Sequence, residues 1–470
     1  MNIPQLVFNK NNTKLEDLVS IKEFQTKEDL KNKLNFEPGT ITNEDGSSYC
    51  LFMTEEDFFK RYNNLNLNKN NIYYNINSFM NSNAVVYLDM SHFILIDLTN
   101  YLIFSKNEEG SFNYNISDTV KKLENHYNNK EYLSLFLNTP DSFKLEILEK
   151  LIESKETIDD ELYSTFMDYY VVTDFGFNSI SRETIRKLLN NKSEELKAKT
   201  IERLSKLPDK VIVYRGQADK STDYKQAYSW SIKPSIATFF SLRFIERKGK
   251  IVTGVVDKKD IIEYFDNDEQ EVLILPNKVK KIKVYDFYTI ETINNKTEDI
   301  LDIFGNYKYM LNNYLDFEHD DFQHGKLHSL RVLLNSLTLG KLKGLDDCDL
   351  HLLAMASIYH DIGRTNNEVD DLHGLRSREI FENSKFGVNE ITKFLIEYHC
   401  IDDETAIKAL ENSDIKDKGK AKELFSIFKD ADALDRLRFG LKDLDFTYLR
   451  NKEAIKMIFF AHIAIKSLKL

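Results

Sequence analysis

Leu352-Leu-Ala-Met-Ala-Ser-Ile-Tyr-His-Asp361 is the stretch on which the fold turns. It is apolar nearly all round, and a helix of that kind is buried. It ends on His360-Asp361, two groups that burial penalises unless each finds a partner. Partners are in reach along the carboxy-terminal half. His328 opens Ser-Leu-Arg-Val-Leu-Leu334 upstream, with His324 four residues earlier on the same helical face as a competitor. His373 begins His-Gly-Leu-Arg-Ser377, and His399 ends Ile-Glu-Tyr-His399. Asp432 stands in Lys429-Asp-Ala-Asp-Ala-Leu-Asp435, four residues after Phe428 and seven after Phe425, on their helical face. Asp430 and Asp435 compete with it. A lone histidine on an apolar helix is usually a satisfied core residue; several in order, on helices, point to a metal.

The order His328, His360-Asp361, Asp432, spaced by 32 and 71 residues, resembles the HD-domain metal-dependent phosphohydrolases. The resemblance runs from about Asp316 to Leu449 and implies an all-α bundle. It implies His328, His360, Asp361 and Asp432 as ligands, with His373 and His399 completing a second site and Asp361 bridging. Mixed imidazole and carboxylate ligands suit one or two divalent ions, Mn, Fe, Zn, Co or Mg. Such ions activate water and polarise a phosphoryl oxygen. Arg364, Arg376 and Arg378 lie near the ligands in sequence and suit a phosphate. His319 and His351 read as surface residues.

Upstream, the pattern between about 211 and 288 has period two. Val211-Ile-Val-Tyr-Arg215, Lys250–Asp257, Glu271–Leu275 and Lys281–Tyr288 read as strands. Three segments there carry chemistry in order: Val213-Tyr-Arg-Gly216; Ser229-Trp-Ser231 leading into the helix Pro234-Ser-Ile-Ala-Thr-Phe-Phe240; and Glu269-Gln-Glu-Val-Leu-Ile-Leu275. Taken singly these are a surface arginine, a packed strand and a solvated edge. Together they resemble the mono-ADP-ribosyltransferases of the Arg–Ser–Glu class, over about Val211 to Lys281, with the preceding helices as the helical lobe of that fold.

The resemblance implies a split β-sandwich that takes NAD as substrate. Glu271 would hold the ribose and stabilise its oxocarbenium-like state. Glu269 would act as base on the acceptor, strand period two setting both carboxylates on one face. Arg215 would clamp the diphosphate or hold the nicotinamide ribose, Ser229 would orient Glu271 and the ribose, Gly216 would border the cofactor cleft, and Trp230 would line it or simply pack. Glu at the first position of Glu-x-Glu leans toward arginine of a protein as acceptor. Only thirteen residues separate Arg215 from Ser229, a short insert for this class.

The chain has 470 residues, a net charge of −12 and 12% aromatic residues. The length suggests two or three domains, and the composition excludes wholesale disorder. Net negative charge argues against general nucleic-acid binding. Cys50, Cys348 and Cys400 make no disulfide framework. Met1–Lys10 lacks a signal-peptide pattern, and His92–Phe104 and Met457–Ile465 are too short or interrupted to span a bilayer. A cytoplasmic protein is expected, or one delivered to a host cytosol by another route.

Residues 1–135 are expected to form an α+β accessory domain, with strands at Ala84–Asp89 and Phe93–Phe104 and a turn at Glu108–Ser111. Residues 136–293 would be the transferase, with Leu145, Leu148, Leu151 and Ile152 on one helical face, and residues 294–470 the HD bundle. The whole reads as an α+β multidomain, bifunctional enzyme of effector, toxin or defence type. It would ADP-ribosylate a protein and hydrolyse a phosphoester in a nucleotide or in the ADP-ribosyl product. An NAD glycohydrolase with an independent HD unit, or a nucleotide-sensing module, stands beside that reading.

Overall fold

A computed structural model describes residues 14–36, 41–42, 48–49, 51–63, 65–78, 83–104, 116–172, 180–321 and 323–468. The chain divides into two compact units, Met1–Lys199 and Thr200–Leu470. The architecture is α+β.

The first unit holds strands β1 (Leu18–Ser20), β2 (Ile41–Thr42), β3 (Ser48–Tyr49), β4 (Ile72–Asn75), β5 (Val85–Asp89) and β6 (Ile94–Asp97). Four of them form an antiparallel sheet in the order β1-β4-β5-β6, and β2 pairs with β3. Its helices are α1 (Lys27–Lys33), α2 (Glu55–Arg61), α3 (Thr99–Phe104), α4 (Ile116–Asn128), α5 (Tyr132–Phe136), α6 (Asp141–Ser154), α7 (Asp160–Val172) and α8 (Arg182–Asn190). The helix α9 (Glu194–Ser205) crosses into the second unit.

Two local readings fare differently here. On α6, Leu148, Leu151 and Ile152 are buried as expected, with Leu145 half-buried and Phe143 and Ile147 filling the face. Phe93–Phe104 is not one strand. It becomes β6 and then α3, because the Asp97 carboxylate accepts from Thr99 N at 2.8 Å and starts a helix. The expected turn at Glu108–Ser111 lies outside the described residues.

The second unit begins with a six-stranded sheet: β7 (Lys210–Gln217), β8 (Ser229–Ser231), β9 (Lys250–Asp257), β10 (Ile261–Phe265), β11 (Glu271–Ile274) and β12 (Lys280–Asp286). The order is β10-β11-β8-β7-β9-β12. β7 meets β8 at a single ladder pair, Tyr214 and Ser231, where two three-stranded halves of the sheet join. Alternation sends Val211, Val213, Trp230, Val252, Val272 and Ile274 into one apolar cluster. The helix α10 (Pro234–Leu242) starts on Pro234, as the sequence suggests, and lies over β7.

The rest is helical: α11 (Ile290–Thr297), α12 (Ile300–Tyr314), α13 (Lys326–Leu342), α14 (Asp347–Tyr359), α15 (His373–Glu382), α16 (Glu390–Tyr398), α17 (Asp403–Glu411), α18 (Lys418–Leu434), α19 (Lys452–Lys456) and α20 (Ile458–Ser467). α13 and α14 pack together at the centre, with α18 against both. Sheet and bundle share one core: Ala237, Leu242, Ile251 and Phe287 belong to the same cluster as the bundle interior. The Tyr214 ring meets Phe446 edge-on at 5.7 Å, and Tyr288 N donates to Lys456 O at 2.9 Å.

Candidate metal centre

Each of the six expected ligands sits at a helix end or one turn inside it. His328 is in the first turn of α13, His360 caps α14 and Asp361 follows. His373 opens α15, His399 caps α16 and Asp432 lies in the last turn of α18. Helices that cross in a bundle bring such ends together. One glycine is needed for that: a Cβ on Gly374 would stand 2.3 Å from Glu397 O. Its absence lets α15 approach α16, so that His373 and His399 meet.

Asp361 is the hub. Its Oδ2 lies 3.4 Å from His328 Nε2 and 3.7 Å from His360 Nε2. Its Oδ1 lies 3.2 Å from His373 Nε2 and 3.4 Å from His399 Nε2. Asp432 Oδ1 joins the first group at 3.3 Å from His328 Nε2. All but Asp432 are buried; the Asp432 side chain is 33% exposed and marks the open side.

The ring orientations are set from behind. His360 Nδ1 donates to Ser357 O at 2.9 Å, His399 Nδ1 to Ile396 O at 2.7 Å, and His373 Nδ1 to Asp370 O. A carbonyl only accepts, so these rings carry their proton on Nδ1 and turn a bare Nε2 inward. His328 Nδ1 is held by Asp435 Oδ2 at 2.7 Å. Yet His328 Nε2 and His360 Nε2 are 3.1 Å apart, and His373 Nε2 and His399 Nε2 are 2.8 Å apart. Where neither ring of a pair carries a proton on Nε2, lone pairs at such distances repel unless a cation stands beside both. The donor set therefore fits a divalent metal of the Mn, Fe, Co, Zn or Mg type.

The electrostatics agree at Asp361, Asp432 and His360; at His328, burial and Arg438 press the pKa down, but Asp432 and Asp435 overcome them and raise it. Burial opposes ionisation of Asp361, but His360, His324, His373 and His399 outweigh it and hold the carboxyl well below its usual range. Burial likewise opposes the Asp432 charge, and His328 with its neighbours overcomes it. Burial pushes His360 down to about 3, so its ring stays neutral and able to ligate.

The structure gives several residues roles other than those their sequence positions suggest. Asp435 is not a rival ligand but the support behind His328. Its carboxylate also takes a two-pronged bond from Arg331, Nε to Oδ1 at 2.5 Å and Nη2 to Oδ2 at 2.9 Å, all buried. Asp430 instead accepts from Arg450 N at 2.9 Å and Asn451 N at 2.7 Å. His324 does not replace His328 but adds to it, with Nδ1 3.1 Å from Asp361 Oδ2. Arg364 is tied to Asp361 Oδ1 at 3.2 Å, and Arg376 to Gly363 O at 2.9 Å and to Asp370. Arg378 pairs with Glu397 at 2.6 Å. Arg331 and Arg438 were not singled out. Their signal was the helical spacing of three from His328 and from Asp435.

The sheet brings its three motif segments onto adjacent strands, β7, β8 and β11. Glu271 is buried and lies directly across from Ser231; Ser229 lies across from Leu273, one pleat away on the same face. Glu269 does not share that face by alternation, which corrects the period-two argument. β11 begins only at Glu271, and Gln270 between them has φ +44°, so the strand geometry is broken there. Register sets Arg215 on the face opposite Tyr214, Ser231 and Glu271. Its guanidinium reaches backbone, donating to Ser229 O at 2.7 Å and Thr222 O at 3.2 Å. Trp230 is packed in the apolar cluster. Gly216 is where α10 crosses β7: a Cβ there would stand 1.9 Å from Ala237 O.

Residues 327–437 match the family model of the HD domain. That match spans all six residues of the cage and implies a metal-dependent hydrolase acting on a nucleotide-type substrate. No curated protein and no solved structure matches the chain. Among the described residues, no helix is long and apolar enough to cross a membrane.

Proposed function

We propose that the cage around Asp361 is the active site of a phosphohydrolase that cleaves a nucleotide-type phosphoester. The observation that carries this reading is the shared position of Asp361, one oxygen turned to His328 and His360 and the other to His373 and His399. His328, His360, Asp432 and Asp361 Oδ2 would hold one divalent ion; His373, His399 and Asp361 Oδ1 would hold a second. Bound there, such ions lower the pKa of water and polarise a phosphoryl oxygen. The chain's own part is to aim four Nε2 lone pairs inward, to keep bulk water from five of six ligands, and to leave the Asp432 side open. The test is hydrolysis by Mn-loaded protein of a panel of nucleoside phosphates, cyclic nucleotides and ADP-ribosyl conjugates. Cleavage of one class, lost in His360→Ala/Asp361→Ala and after chelation, is expected. Cleavage indifferent to both would overturn the reading.

We also propose, on separate grounds, that the sheet is an NAD-dependent mono-ADP-ribosyltransferase of a protein, making the chain bifunctional. Support comes from the adjacency of β7, β8 and β11 and from the buried Glu271 beside the split between the sheet halves. The backbone bonds of Arg215 suit a residue that shapes the cleft more than one that clamps NAD. Adenine-labelled NAD with a cell lysate tests it. Label on protein, lost in Glu271→Ala, is expected; label released only as ADP-ribose would make it a glycohydrolase, and no NAD consumption would refute it. Label that rises further in the metal-site double variant would show the two activities acting in sequence.

A further inference from the structure

Four arginines stand around the cage, and three are spent. Arg331 grips Asp435 with two nitrogens, Arg364 is tied to Asp361 and reaches Glu368 O at 3.4 Å, and Arg376 straps Gly363 O and Asp370. Arg438 differs. It follows Asp435 on the short 3-10 turn after α18. Only its Nη1 has partners among the described residues, Asp435 O at 3.1 Å and Asp435 Oδ2 at 3.3 Å. Its Nε is buried without a hydrogen-bond partner, and the side chain is 4% exposed. A buried donor on a charged group left without an acceptor costs about 1–3 kcal/mol or more, so the group calls for an acceptor.

The surroundings say which ligand. Asp435, which accepts from Arg438, also holds His328 Nδ1 at 2.7 Å, so the guanidinium stands beside the cage, one carboxylate behind a candidate ligand. Its guanidinium lies over the Phe439 ring, 4.1 Å from the centroid, and that ring is 43% exposed. The planar fork is thus held from moving while one edge stays unused. Guanidinium edges match phosphate oxygens.

We infer that Arg438 is the phosphate ligand of the site, donating Nε–H to a non-bridging oxygen of the phosphoryl group while Nη1 keeps hold of Asp435. This rests on the phosphohydrolase reading and names the residue that binds the group to be cleaved. It assigns Arg364 and Arg376, nearer in sequence to His360-Asp361, to holding the cage and its loop.

The test uses full-length protein loaded with Mn(II), with inorganic phosphate as probe. Phosphate affinity and Mn content are measured together for wild type, Arg438→Lys and Arg438→Gln. Loss of one hydrogen bond between charged partners weakens phosphate binding about 10–100-fold in Arg438→Gln. A smaller loss is expected in Arg438→Lys, and Mn content is expected to hold in both. Phosphate affinity within threefold of wild type at equal Mn content would overturn the inference. So would parallel loss of Mn and phosphate in both variants, which would make Arg438 a support for Asp435 alone. If wild type binds no Mn, or binds Mn but no phosphate, the failure lies with the phosphohydrolase reading itself.

Discussion

Replacing Asp435 should damage stability and metal binding at once. The carboxylate is fully buried and meets three groups: His328 Nδ1 at 2.7 Å, Arg331 through two bonds, and Arg438 Nη1 at 3.3 Å. Asp435→Ala takes from the buried Arg331 guanidinium the carboxylate that two of its nitrogens hold. Breaking a buried pair from one side costs about 3–5 kcal/mol, about a fifth or more of the roughly 5–15 kcal/mol that holds a domain folded. His328 also loses the acceptor that fixes its ring, and losing such a partner weakens metal binding about 10–100-fold. Asp435→Asn keeps the shape and one acceptor oxygen but not the charge, so it should fall between. Urea unfolding of chelator-treated protein reads the first effect, and Mn(II) titration reads the second. If Asp435→Ala unfolds within about 0.5 kcal/mol of wild type and binds Mn as tightly, Asp435 is not the support described and the geometry behind His328 has been misread.

His373→Ala should lower the Mn content by one ion per chain while leaving the His328, His360 and Asp432 group able to bind; elemental analysis after gel filtration would check it, and unchanged content would count against a second site. His462 on α20 is held down to about 4 by burial and by Lys466. A histidine depressed on folding stabilises fully above its usual value near 6.5. That stability is lost as pH falls toward 4, by about 3 kcal/mol for a shift of this size. The wild type should therefore lose more stability than His462→Gln between those values in pH-dependent melting, and parallel curves would contradict it. Gly216→Ala should cost about 1–3 kcal/mol through overpacking against α10, read as a lowered urea midpoint; an unchanged midpoint would mean the helix yields freely.

The clustering of the six candidate ligands was legible because a metal site calls for particular residue types, and the helices carrying them announce themselves by apolar periodicity. His360-Asp361 at the end of a wholly apolar helix could not be left unpaired, and the other ligands lay at comparable helix ends. What stayed hidden was the support. Asp432 and Asp435 are three apart on one helical path, and nothing in sequence says which faces the metal and which the arginines. That depends on how α18 rotates against α13. Likewise Arg364 and Arg376 looked free because their partners, Asp361 Oδ1 and the 363–370 loop, are set only by the fold. In the sheet, the strands were readable from alternation, but the positive φ at Gln270 was not, and with it went the argument pairing Glu269 with Glu271. Phe93–Phe104 was apolar enough for a strand throughout; a single side-chain cap, Asp97 on Thr99 N, ended it early.

The most direct measurement is a Mn(II) titration of chelator-stripped protein, followed by electron paramagnetic resonance, in wild type and Asp361→Ala. Two ions per chain with the spectrum of a coupled pair, both lost in Asp361→Ala, is the result expected of a cage whose central carboxylate turns one oxygen to each histidine pair. Binding that survives unchanged in Asp361→Ala, or no binding by the wild type, would contradict it.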